Sequence, residues 1–511
     1  MERKWWTLIV VGAAIFMLLL DISIVTVALP EIQRGLHASF SDVQWVVDAY
    51  ALTLASLLLT AGSLADRYGR RLLFSIGLVI FTLGSLLCGF AQSPLMLTLS
   101  RSAQGVGGAI LFSTSLALLA NSFRGKDRGV AFGIWGAISG IAVAAGPILG
   151  GVITNAINWR GIFLVNVPIG IIALIITLWK VEESKFPLAS SPDWWGFLTL
   201  TLGLISLVYG LIRASEQGWG DTGVWVCLAF AVVVLVAFFV VELKVSHPMF
   251  DLSLFRIPTF TGGLIAAFAM NGSLFAVFVY LVLYLQDSLG YSALGAGERV
   301  LLVSVAQLVT ATIAGRLSSH MPVRWLIGPG LILVGIGLLL MTGIVGTTSW
   351  THLALGMTIA GLGAGMVNPP LASTAVGVVR PERSGMASGV NTTFRQIGIS
   401  VGIAVYGTVF ASSLASGLHS SLAPLHLSPT DLNQLVTSVK EGNVAPILRA
   451  APGSARGLIV SGLHSSFASS LDNILIVSGI MALVGGVCSI LFIRQKDFVH
   501  QGASAEPSAA G

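Results

Sequence analysis

The chain has 511 residues, of which 10% are charged and 55% apolar; a soluble globular protein carries about 25% charged residues. So few charges cannot coat a water-facing surface of this size, which excludes a soluble fold and makes lipid the solvent. The formal charge of +5 is dispersed, with no long basic run and no nucleic-acid motif, so a nucleic-acid partner is excluded as well.

Apolar runs of about 20 residues mark membrane helices. They fall near 6–29, 45–64, 72–91, 95–120, 130–154, 160–181, 194–213, 223–243, 260–286, 293–317, 324–345, 350–376, 389–413 and 470–493, fourteen predicted spans in all. Arg3 and Lys4 precede the first run, but no small-residue cleavage site closes it, so it reads as a retained first span rather than a signal peptide. Asp21 interrupts span 1, Asp48 lies near the start of span 2 and Arg101 sits in span 4. An ionisable residue at membrane depth is a functional hypothesis by default. At a rise of 1.5 Å per residue, Asp21 lies about 12 Å, Arg101 about 9 Å and Asp48 about 5 Å below the outer surface. Asp21 and Arg101 therefore meet if their helices are neighbours. Desolvation disfavours the ionised carboxylate and a neighbouring guanidinium favours it. Such a balance suits proton coupling; the alternative is a static pair that only holds helices together. Asp48 is a third coupling candidate or a hydrated mouth residue.

Further along, Gly125-Lys126 is the one Gly-Lys pair and Asp127 follows it, so no phosphate-binding loop exists to take a nucleotide. No cofactor is expected, and the proton gradient remains as the energy source. Span 9 carries Met270, Asn271, Phe275, Phe278, Tyr280 and Tyr284. Asn271, Phe275, Phe278 and Tyr280, with Gln104 of span 4, are candidate lining of a substrate cavity; helix packing is the alternative for the aromatic stripe. A loose apolar cavity with one acid suits amphipathic, often cationic small molecules. Residues 414–469 form a long outer loop with helical patches and several prolines, and the tail 496–511 is small, polar and expected to be disordered. Cys88, Cys227 and Cys488 lie in apolar stretches and are odd in number, which implies no disulfide framework and no metal set. No Ser-His-Asp, metal or paired-carboxylate constellation points to an enzyme.

Lys and Arg set the orientation. With the N-terminus inside, most basic residues fall in cytoplasmic loops; in the short outer loops only Arg34, Arg160, Arg213 and Arg299 remain. Both termini are therefore expected in the cytoplasm. The chain also repeats itself at a near-constant offset. Gly105, Gly107 and Gly108 of span 4 are echoed by Gly361, Gly363 and Gly365 of span 12, and the Ala-Gly pair at 61–62 by that at 314–315. The expected organisation is an all-α membrane fold with a six-helix bundle over 1–184, two inserted helices over 185–250 and a second bundle over 251–495. Duplicated halves place a substrate site at their interface near the midplane.

Gly62-Ser63-Leu64-Ala65-Asp66-Arg67-Tyr68-Gly69-Arg70-Arg71, after span 2, resembles the signature loop of the major facilitator superfamily, almost residue for residue. Arg101-Ser102-Ala103-Gln104-Gly105-Val106-Gly107-Gly108-Ala109 is similar to a second motif of that family. Gly146-Pro147-Ile148-Leu149-Gly150-Gly151 is similar to its antiporter motif, and Leu20-Asp21 through Leu29-Pro30 to the first span of its fourteen-span drug:proton antiporters. The resemblance covers essentially the whole chain. It implies the major facilitator fold and a monomeric proton-coupled exporter of drug-like molecules in the bacterial plasma membrane. Within it, Gly62, Asp66, Arg67, Gly69, Arg70 and Arg71 form a charge latch against span 13, or in the plainer reading a positive-inside anchor. Gly146, Pro147, Gly150 and Gly151 form a bendable contact or a packing surface. Arg101 is linked to proton transfer. Arg395 and Gln396 resemble a family pair and read as packing. On the same fold, a dedicated metabolite exporter, a lipid translocase and a transport-inactive sensor are the competing readings.

Overall fold

The computed structural model describes residues 2–38, 40–184, 193–245, 251–318, 320–345, 348–380, 383–422 and 453–498. These are almost wholly helical. The first group of helices is α1 (Arg3–Leu36), α2 (Phe40–Tyr68), α3 (Arg70–Gly89), α4 (Pro94–Ser122), α5 (Gly125–Ala156), α6 (Gly161–Leu164) and α7 (Asn166–Lys180). Next come α8 (Trp194–Gln217) and α9 (Thr222–Lys244). The last group is α10 (Pro258–Met270), α11 (Ala276–Leu283), α12 (Ala293–Leu317), α13 (Arg324–Leu340), α14 (Thr351–Gly377), α15 (Ser384–Leu422) and α16 (Gly453–Phe492). Starts follow local chemistry: Ser93 caps α4 by accepting from the Met96 amide, ahead of Pro94, and Asp193 and Asp221 cap α8 and α9 in the same way.

Among the described residues, eleven helices are long and apolar enough to cross a membrane, or up to twelve when the bent α5 counts as one span. Fourteen were expected. Each expected span does lie on a helix, but α13 has only 17 residues, and α14 is diluted by Asn368, Pro369, Pro370 and its glycines. The outer loop is also shorter than 414–469. Helix α15 runs on to Leu422 and α16 begins at Gly453, while residues 423–452 lie outside the described set. Serine hydroxyls in these polar extensions donate to carbonyls one turn back, as at Ser412, Ser420, Ser461 and Ser465, and so are satisfied within the helix. At the C-terminal end, Asp497 accepts from the Thr259 amide and hydroxyl; residues 499–511 lie outside the described set.

The helices form two bundles, each with its own main apolar core. One core is built by Leu18, Leu54, Phe74, Phe81, Leu111 and Trp135, the other by Met270, Leu331, Leu338, Met357, Leu371 and Leu475. The repeated glycines do equivalent work in each. A methyl group on Gly105 would collide with Thr53 of α2, and one on Gly107 with the Phe81 backbone of α3. One on Gly361 would collide with Val303 of α12, and one on Gly363 with Gly330 of α13. Small residues thus let backbones touch where lipid supplies no hydrophobic drive between helices. A separate cluster of Leu59, Leu200, Leu204, Phe238, Met386 and Val390 joins α8 and α9 to the seam between α2 and α15.

Both ends of the described chain lie on one face. Arg3 pairs with Glu182 and Lys4 with Asp127 there, and Asp497 holds Thr259 at the start of α10. This terminal face is where the bundles meet closely: Gly129 and Gly133 of α5 sit against Gly315 of α12, and the Ser388 hydroxyl of α15 donates to the Ser113 carbonyl of α4 at 2.9 Å.

Candidate functional site

Asp21 is fully buried at membrane depth, and the cluster around it is built from α1, α2, α3, α4 and α7. Arg101 donates through Nη1 to Asp21 Oδ2 and, at 2.8 Å, to Gln104 Oε1, and through Nε to the Val46 carbonyl at 3.1 Å. Asp21 Oδ1 accepts from Gln104 Nε2 at 3.0 Å and Asn166 Nδ2 at 3.2 Å. Both amides also donate to Ser85 Oγ, which in turn donates to the Phe163 carbonyl. The Arg101 guanidinium stacks 4.2 Å from the Tyr50 ring centroid. A charge taken out of water is tolerated only when paired and hydrogen-bonded, and here the carboxylate has one cation and two amides. At the edge of the cluster, Tyr50 Oη and Asn166 Oδ1 have no hydrogen-bond partner among the described residues.

Asp21 and Arg101 thus sit together, while Asp48 lies half-buried on α2, two residues beyond the carbonyl that Arg101 grips. Gln104, expected on a substrate cavity, stands instead between Asp21 and Arg101. Asn166, Ser85 and Tyr50 were not singled out in the sequence. An amide inside an apolar run was the available signal for Asn166; a serine or a tyrosine in a span is too common to signal anything.

The signature loop joins the two bundles. Asp66 Oδ1 accepts from Arg70 Nε at 2.9 Å and Nη2 at 2.7 Å. Its Oδ2 accepts from the Met386 amide at 2.8 Å, in the first turn of α15. A carboxylate at a helix N-terminus meets free N–H groups and the positive end of the dipole. Arg71 donates to the Leu178 carbonyl at 2.6 Å, and Glu183 accepts from the Arg71 and Leu72 amides. Gly69 has φ +123 with Glu183 crowding the space a side chain would fill, so the bend into α3 needs glycine here. Arg67 lies against the Tyr68 ring, 5.8 Å from its centroid, and Gly62 is buried one turn before Asp66.

The Gly146 motif lies in α5 against α1. A methyl group on Gly146 would overlap the Ser23 side chain, two residues beyond Asp21. Gly150 is buried, whereas a methyl on Gly151 would meet open space; Pro147 lies in the helix at the bend of α5. In the second bundle, α11 is flanked by π-helical turns at Asn271–Phe275 and Tyr284–Ser288. Within the first turn the Gly272 carbonyl accepts from the Tyr406 hydroxyl at 2.8 Å. Asn271 donates to Ala267 of its own helix. Tyr280 donates to the Ile403 carbonyl at 3.2 Å and packs on Tyr406 and Phe410. Phe275 and Phe278 are half-buried and meet edge to face.

Residues 11–403 match the family model of the Major Facilitator Superfamily. The chain is 38% identical over 420 residues to the multidrug resistance protein Stp of Mycobacterium tuberculosis, covering 81% of this chain and 78% of that one. It is 31% identical over 499 residues to the tetracenomycin C resistance and export protein of Streptomyces glaucescens, covering 97% and 92%. It is 32% identical over 498 residues to the drug efflux pump JefA of Mycobacterium tuberculosis, covering 96% of each. Among solved structures, the crystal structure of the human organic anion transporter MFSD10 (TETRAN) superposes with a TM-score of 0.63 at 12% identity, covering 94% of this chain and 100% of that one. At that identity the likeness concerns the fold alone.

Proposed function

The chain belongs to the major facilitator superfamily, and we propose that it is a proton-coupled antiporter that exports drug-like amphipathic or cationic molecules by alternating access. Relatives named for multidrug resistance and drug efflux support the export reading. Under this reading the protein works in the bacterial plasma membrane as a monomer, with both termini cytoplasmic, and performs no enzymatic chemistry. It uses no bound cofactor. One pH unit supplies about 1.4 kcal/mol per proton, and a potential of about 100 mV adds about 2.3 kcal/mol for each charge that crosses.

The observation that carries the reading is the double role of α5. Its Gly129 and Gly133 touch the second bundle, and its Gly146 presses on Ser23 beside Asp21. Rocking of one bundle on the other is therefore transmitted through α5 to the backbone that holds the buried acid. Protonation of Asp21 removes its attraction for Arg101, which the Gln104 side chain and the Val46 carbonyl still hold. Helix α1 then moves relative to α4, and the proton is released on the other side. The Asp66–Met386 latch biases the equilibrium toward closure of the terminal face and does not touch substrate.

The test is substrate-induced proton efflux from inverted vesicles energised acid inside, with a panel of amphipathic dyes. Wild type is expected to respond, and Asp21→Asn to lose at least tenfold in rate. A wild type that responds to no compound removes the antiporter reading and advances a narrow exporter, a lipid translocase or a sensor.

A further inference from the structure

Arg395 lies on α15, 11 residues past Ser384 and so about 16 Å from the terminal end of that helix. It is 6% exposed, and no acidic side chain touches it among the described residues. Helices α10, α14 and α15 contain no acidic residue at all. Its partners are two amide oxygens: Nε donates to Asn391 Oδ1 at 3.0 Å, and Nη1 to Asn368 Oδ1 of α14 at 3.0 Å. Among the described residues, two donors remain without any acceptor, Arg395 Nη2 and Asn391 Nδ2, and Asn391 is 1% exposed. An unmet donor in a buried site loses its hydration without return, the more so when it carries charge. What this set lacks is an acceptor with negative charge.

The set also faces the right way. Ser388 of α15 donates across to Ser113 of the first bundle. Seven residues, two helical turns, return to nearly the same side of a helix, so Arg395 lies on the stripe that faces the opposing bundle, deeper than the contact. Pro369, next to Asn368, meets Gly136 of the first bundle. The guanidinium is thus held by two helices that both border the seam between bundles, where duplicated halves place substrate.

We infer that Arg395 and Asn391 form a binding site for an anionic oxygen group of the transported molecule, a carboxylate or phenolate on an otherwise apolar body. This deepens the exporter reading and rests on it. Arg395 Nη2 and Asn391 Nδ2 supply the N–H donors to the anion, and the Asn368 and Asn391 oxygens hold the guanidinium in place. In the present conformer, closed at the terminal face, the site is shut; parting of α15 from α2 and α4 opens it. Asp21, by contrast, is already neutralised by Arg101 and offers no free charge to a cationic group. The site therefore widens the expected substrate range to acids.

The test is equilibrium binding of 9-anthracenecarboxylate and of its methyl ester to the purified full chain in detergent, read by fluorescence. Wild type is expected to bind the acid at least tenfold more tightly than the ester. Arg395→Gln is expected to erase that preference with ester affinity retained, and Asn391→Val, which keeps the guanidinium, to lower it severalfold. Equal binding of acid and ester by wild type overturns the site, as does an unchanged preference in the variants. If Arg395→Gln does not fold, Asn391→Val decides by the same criterion. Dye-induced proton efflux in vesicles separates the two claims: no efflux with any compound but a preserved acid preference removes the exporter reading and leaves the anion site standing.

Discussion

Two arginines, Arg101 and Arg395, are buried at membrane depth, one in each bundle, and they are stabilised in opposite ways. Arg101 faces the Asp21 carboxylate and stacks on Tyr50. Arg395 faces only amide oxygens and keeps an unmet N–H group. The same side chain therefore completes one site and leaves the other incomplete. Burial alone does not tell the two apart; the complement of acceptors does. A balanced pair is suited to a proton that comes and goes, whereas a surplus of donors is suited to a ligand that brings its own charge.

The largest effect expected from this contrast is on stability. Arg101→Gln strands Asp21 as an uncompensated buried charge, and breaking such a pair costs about 3–5 kcal/mol. Arg395→Gln strands no carboxylate but leaves the buried Asn368 and Asn391 oxygens short of a donor, so its loss is expected to be smaller, about 1–3 kcal/mol. Thermal unfolding in detergent compares the two directly, and equal losses would break the contrast. Adding Asp21→Asn to Arg101→Gln is expected to recover part of the loss, since no charge is then left alone.

A comparable or smaller effect is expected at the latch. Asp66→Asn keeps an acceptor for the Met386 amide but takes the carboxylate out of a buried ion pair with Arg70, a loss of up to about 3–5 kcal/mol by the same rule as at Asp21 and Arg101. The terminal face should open more often, seen as faster labelling of a cysteine placed at Ser388. Unchanged labelling would make the loop an anchor rather than a latch. The smallest effect is expected at Tyr280→Phe, which removes one hydrogen bond to Ile403, about 0.5–1.5 kcal/mol, with efflux preserved. A large loss of efflux would instead bring Tyr280 into the transport path.

How far each part was legible follows from its range along the chain. The signature loop is nearly contiguous, so its resemblance to the family's loop could be seen from order alone, and that resemblance implied span 13 as the opposing helix. Asp21 and Arg101 stood out because charge is rare in lipid, and their depths follow from helical rise. Gln104 could not be placed, because a residue's helix face says nothing of which neighbour it meets. Asn166 and Ser85 were missed for the same reason. Each of the fourteen expected crossings lies on a helix, but among the described residues only eleven or twelve helices are long and apolar enough taken singly, because α13 is short and α14 is diluted by Asn368 and two prolines.

By itself the sequence determined the solvent, the helical class, the repeat and the few charged residues that could not be incidental, since all of these depend on composition and local spacing. Only the tertiary structure decided which charges are paired, that α5 links the bundle interface to Asp21, and that Arg395 has no acid opposite it among the described residues. Those facts depend on side chains far apart in sequence, brought within about 3 Å by packing, and no local pattern carries that distance.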